Sequence, residues 1–324
     1  SVPAHAAAGI GRLMRAQADT ARARAGLRSA AAALAAVAVL SAEDAGAHES
    51  HRHRSETAAR AGIAAADEAQ SRHDFATAGA ALDRLLAADP RDLEARLMRA
   101  NLRLLAGELE ASRSDCRAAV ASGALYAGTV CLAAAQTGPG SVARARAMLA
   151  ALGDDHDAGV ELRRWRLLTE ADLATRADDA RQSAERLQRA YALDPAHEEA
   201  RTQLAERLLE QGEAGRALEL AIAPGPSVAR LVVRLRAAQA KGDARAAAWR
   251  RELDDRLDAD RGQGTPPHLR EEAQIALYLD DDAAAALDLA QQNFATQKDT
   301  RDLRLLAHAA VAAGDPSALE SVLD

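Results

Sequence analysis

Apolar positions between Glu198 and Ile222 fall into two runs separated by a polar break. Leu204, Ala205, Leu208 and Leu209 recur at helical spacing, Glu210-Gln211-Gly212 interrupts them, and Ala217, Leu218, Leu220 and Ala221 form the second run. Two helices of roughly twelve residues joined by a tight glycine turn satisfy this pattern. Upstream, Asp194-Pro195 ends the preceding helix, because proline lacks the N–H and clashes with the turn before it.

The same unit recurs. The pattern predicts hairpins at 58–71 with 76–88, 93–106 with 110–122, 125–137 with 141–152, and 158–175 with 179–193. After the hairpin ending at Ile222 come 228–240 with 244–260, 268–279 with 283–296, and 300–313 with a short 316–323. Turn centres fall near 73, 107, 138, 178, 212, 242, 280 and 314, so successive spacings are 34, 31, 40, 34, 30, 38 and 34. Each hairpin has an apolar face that it cannot bury alone, so neighbours must stack. The expectation is one solenoid over 57–324, read as an extended surface and not a pocket. Arg261–Pro267, with two glycines and two adjacent prolines, is the candidate flexible joint.

Composition agrees with an all-α chain. Of 324 residues, 48% are hydrophobic, mostly Ala and Leu, and only 2% are aromatic; alanine is the best helix former, and β-branched residues are scarce. The net charge of −7 gives no basic track for nucleic acid. Two cysteines do not make a dense disulfide framework.

Residues 1–56 read differently. A basic stretch Met14–Arg28, a twelve-residue apolar run Ser29–Leu40 and small residues Ala45-Gly46-Ala47 follow in the order of a secretory signal over 14–47. The apolar run is too short to span a bilayer. An Ala-rich capping helix on the first unit is the alternative, so exported (periplasmic) and cytoplasmic locations both stand. His48, His51 and His53 in a linker over 48–56 are weak candidate metal ligands, opposed by Arg52 and Arg54.

The mean period near 34 with two helices per unit resembles the tetratricopeptide-repeat family, here in a bacterial-style composition. Small residues recur before the turn (Ala66, Ala100, Cys131, Ala171, Ala205, Ala273, Ala307) and early in the second helix (Ala78, Ser112, Ser183, Ala217, Ala247, Ala285). Closing prolines survive as Pro90 and Pro195, while Arg99 and Arg234 stand where the family has leucine. The resemblance covers 57–324 and implies a tetratricopeptide-like superhelical solenoid of about eight helical hairpins. It also implies a concave groove lined by the first helices, holding a peptide or helix of a partner protein. Carried over position by position, that groove comprises Asp67, Gln70, Leu97, Asn101, Leu104, Leu168, Asp172, Thr202, Glu206, Leu209, Val232 and Arg236. Only Asn101 matches a carboxylate clamp, and Asp67 carries the wrong sign for one.

In the family register Cys131 takes a small-residue position and Cys116 faces the preceding layer, at similar heights either side of Gly123. The pair is either two buried thiols or, in an oxidising compartment, a disulfide. No catalytic or metal motif and no cofactor site emerges: the Asp280-Asp281-Asp282 run lacks the alternation of a calcium loop. The reading is a non-catalytic interaction scaffold or adaptor. A regulatory or sensor protein acting indirectly in a signalling or envelope-assembly complex is the alternative, with a membrane-associated partner if the chain is exported. An enzyme is the remaining class, recognisable by perturbed polar residues converging in a closed cavity.

Overall fold

The computed structural model describes residues 57–319 apart from 71, 73, 139, 154–157 and 226. The candidate leader 14–47 and His48, His51 and His53 lie outside the described residues. Those described form an all-α solenoid with no strand. Fifteen α-helices follow one another: α1 (57–70), α2 (Phe75–Ala88), α3 (Leu93–Ala106), α4 (Leu109–Ala121), α5 (Leu125–Ala134), α6 (Ser141–Ala151), α7 (Val160–Arg176), α8 (Ala180–Leu193), α9 (Glu198–Glu210), α10 (Ala214–Ala221), α11 (Val228–Lys241), α12 (Ala246–Gly262), α13 (Leu269–Tyr278), α14 (Ala283–Thr296) and α15 (Thr300–Ala312). In the eighth unit α15 is followed, among the described residues, by a 3₁₀ turn, Pro316–Leu319.

Local chemistry sets the boundaries. Side chains of Asp74, Asp92, Asp179, Ser227, Asp282 and Asp299 accept from backbone N–H groups in the first turns of α2, α3, α8, α11, α14 and α15. Gly107 caps α3 in the left-handed region at φ 80°. Where two turns lack glycine, Asp178 and Asp281 adopt positive φ instead. Gly128 serves closeness: an added Cβ would lie 2.6 Å from Val120 Cγ2 and 2.8 Å from Val120 N, so α5 can press onto α4 only without one.

The layers are bound by alanine and leucine. Ala66, Ala78, Ala100, Ala205, Ala217 and Ala273 have no exposed surface, and Ser112 donates to Ala100 O at 2.8 Å within its layer. Two small-residue positions shift by one: Ala247 and Ala285 are less buried than expected, and in α14 Ala286 is the fully buried alanine. Arg99 does not replace leucine in the core. Together with Arg103 it converges on buried Asp115 of α4, with bonds of 2.7–2.9 Å, and its other arm reaches Asp83. Arg234 lies over Trp249 and pairs with Glu252. At the candidate joint, α12 runs on through Gly262, contrary to expectation. His268 Nε2 lies 3.1 Å from Asp260, and Arg261 pairs with Glu272 across the remaining loop. Below it, Leu253 and Leu257 share a cluster with Ile275.

Cys116 on α4 and Cys131 on α5 are joined as a disulfide, with Cα atoms 5.5 Å apart and both residues in one buried cluster. Among the described residues no helix is long and apolar enough to cross a membrane.

Candidate functional site

The solenoid does not stay open. Its eighth unit swings back onto the concave face of units two to five. Lys298 N donates to Leu105 O at 2.8 Å, tying the α14–α15 turn to the end of α3. Arg301 pairs with Glu206 at 2.7 Å and Arg304 with Glu210 at 3.4 Å, joining α15 to α9. The groove thereby becomes a cavity of about 260 Å³. Leu97, Leu104, Trp165 and Leu168 supply apolar surface. Asn101, Asp172, Arg176, Glu199, Gln203 and Glu206 supply polar groups, and 298–301 with Arg304 form the far wall.

Half of the groove expected from sequence is brought together here: Leu97, Asn101, Leu104, Leu168, Asp172 and Glu206. The other six do not line the cavity. Val232 is fully buried among Leu231, Leu235 and Leu253, Thr202 is 4% exposed, and Gln70 is 3% exposed at the end of α1. Leu209 packs against the core of units five and six. Asp67 sits half-buried on α1, while Arg236 covers the Tyr278 ring at 3.9 Å. On α9 the lining residues are Glu199, Gln203, Glu206, Arg207 and Glu210, a face that keeps the assigned Glu206 and is turned away from Thr202 and Leu209, while no residue of α1 or α11 lines the cavity. The expectation of an extended surface without a pocket is likewise corrected.

Electrostatics follow from the enclosure. Asp172 lines the cavity and keeps 37% side-chain exposure. Burial pushes its carboxyl up, against Arg176 and a hydrogen bond with Thr300. Burial likewise raises Glu199, against the pull of Arg301. One Glu199 oxygen accepts from Gln203 at 2.9 Å, and the other has no hydrogen-bond partner among the described residues. Behind the wall, Arg270 is 2% exposed and donates to both oxygens of Asp302 at 2.6 Å and to Asp299 at 2.7 Å. Burial pushes the fully buried Asp302 up to about 6, while Arg270 and Arg301 hold the more exposed Asp299 below the carboxylate range. Sequence reasoning passed over Lys298–Arg304 because each unit was judged alone; the arginines of α15, three residues apart, were the available signal.

No family model matches the chain, and no curated protein matches it. Solved structures with similar architecture include TTC0263, a thermophilic TPR protein in Thermus thermophilus, at 22% identity, 58% of this chain, 98% of that one and a TM-score of 0.46. The human IFIT1 dimer with m7Gppp-AAAA is similar at 15% identity, 79% and 70% coverage and 0.42. The MamA protein follows at 16% identity, 63% and 94% coverage and 0.28. The class is an all-helical solenoid of tetratricopeptide-like hairpins. At these identities and scores its function has to be read from its own residues.

Proposed function

We propose that this chain is a non-catalytic protein-interaction scaffold that receives a segment of a partner protein between units two to five and unit eight. The observation carrying this reading is the cavity itself, where apolar Leu97, Leu104, Trp165 and Leu168 adjoin polar Asn101, Asp172 and Glu206 on rigid helices. Such a mixture suits an apolar anchor flanked by hydrogen-bonding groups. At about 260 Å³ the half-open cavity admits the anchor side chains of such a segment.

Acid–base catalysis is the second reading, because two carboxylates raised by burial line one cavity. Against it, Asp172 is already engaged by Arg176 and Thr300, and Glu199 by Gln203. Selecting a displayed random-peptide library on the full chain tests the scaffold. Bound peptides should lose at least about tenfold in affinity for Leu104→Glu and Leu168→Glu, and keep it for Val311→Glu on the exposed outer surface. Peptides indifferent to all three substitutions, or a library without binders, would overturn the reading.

A further inference from the structure

The closure has an uneven chemistry. The apolar residues of α15, Leu305, Leu306 and Ala309, pack inside its own end of the solenoid with Ala273, Ala286 and Ala290. Towards α9 it offers arginines. Glu206 and Glu210 stand one helical turn apart, Arg301 and Arg304 are three residues apart, and the pairs match in order, so the two helices run the same way. The cavity face of α9 carries three acids and one base, Arg207, which pairs with Glu210 at 2.6 Å, while Glu199 makes no ion pair with α15 and feels Arg301 only at longer range. Among the described residues Glu206 Oε1 has no hydrogen-bond partner, and about two turns earlier Glu199, only 8% exposed, has an Oε2 without one on the same cavity. A buried carboxylate oxygen without a donor is costly, and an incoming cation removes that cost.

We propose that the Glu199–Glu206–Glu210 face of α9 is the docking site for a partner helix carrying arginines at three- or four-residue spacing, and that α15 is its intramolecular stand-in. This rests on the scaffold reading and names the partner's chemistry. Charge complementarity and the helix already seated there argue for this occupant. Because α15 is tethered, it competes at an effective concentration in the millimolar range. A free helix must therefore engage more than two acids to displace it, and Glu199 provides the third.

The probe is a synthetic peptide of residues 298–313, titrated against the full-length chain at low salt. Wild type should bind it weakly, since the tethered copy holds the site. Arg301→Glu with Arg304→Glu in the chain repels α15 from α9, and the same peptide should then bind at least about tenfold more tightly. A peptide with both arginines changed to glutamate should fail on that chain, yet bind a chain with Glu206→Arg and Glu210→Arg. Should circular dichroism show that the glutamate variant does not fold, Arg301→Gln with Arg304→Gln gives the same comparison. Equal peptide affinity for wild type and the opened chain, or indifference to the charge swap, overturns the proposal. If library peptides still require Leu104 and Leu168 in that case, the scaffold reading stands and only the arginine-helix assignment falls.

Discussion

Helix α9 takes part in two seams built on opposite principles. Its back carries Leu204, Ala205 and Leu208 into a cluster with Ala217, Leu218, Ala221, Val233 and Ala237, all at most 4% exposed. Its front presents Glu199, Glu206 and Glu210 to the cavity and to the arginines of α15. The back is held by removal of apolar surface from water, which is non-directional and insensitive to salt. The front is held by partly exposed charges, which salt screens and which contribute little net energy. The stack thus rests on apolar burial and the closure chiefly on ion pairs, with one backbone bond from Lys298 to Leu105 beside them.

The most forceful way to break this contrast is Leu204→Ala. It empties a site 1% exposed at the centre of the apolar seam, and should cost about 3 kcal/mol in urea unfolding at any salt concentration. A loss below about 1 kcal/mol would mean that the back seam is not what binds the stack. Reducing the Cys116–Cys131 link, which closes a separation of 15, should cost about 3 kcal/mol by chain entropy. Melting curves with and without reductant measure this, and an unchanged midpoint would remove the bridge from the account of the stack.

The front seam calls for a double-mutant cycle on Glu206→Ala and Arg301→Ala. The coupling should be no more than about 1 kcal/mol at low ionic strength and should vanish near 1 M salt. A coupling that survives high salt would show that the closure is as fixed as the stack. The smallest effect concerns Glu199. Its folded-state carboxyl is raised by burial, so its contribution to stability is present below the ordinary glutamate value of 4.5 and is lost as pH rises through the raised value. Glu199→Gln should therefore melt slightly higher than wild type at neutral pH, with the difference closing as pH falls towards 4.5. A variant less stable than wild type at neutral pH would reveal a donor to Glu199 that the free chain already supplies.

Much of the hairpin order could be read locally. Asp92, Asp179 and Asp282 cap as their positions before apolar runs suggest, and Gly107 turns the chain where its left-handed conformation is needed. Of the residues assigned from sequence, Leu97, Asn101 and Leu104 on α3, Leu168 and Asp172 on α7 and Glu206 on α9 line the cavity. Thr202 on α9 and Val232 on α11 are buried instead. α11 is buried on nearly every side, so its apolar periodicity marks no open face.

By itself the sequence determined the all-α class, the units, their turns and the small residues that let layers approach. Those features depend on residues within one hairpin or its neighbour, where propensity, capping and apolar burial act over short separations. Only the tertiary structure decided that unit eight meets units two, four and five, that the groove becomes a cavity, and that Arg301 finds Glu206 across 95 residues. The physical reason is accumulation. Each unit adds a small rotation to the last, and where the final helix arrives depends on the sum, to which no local pattern is tuned.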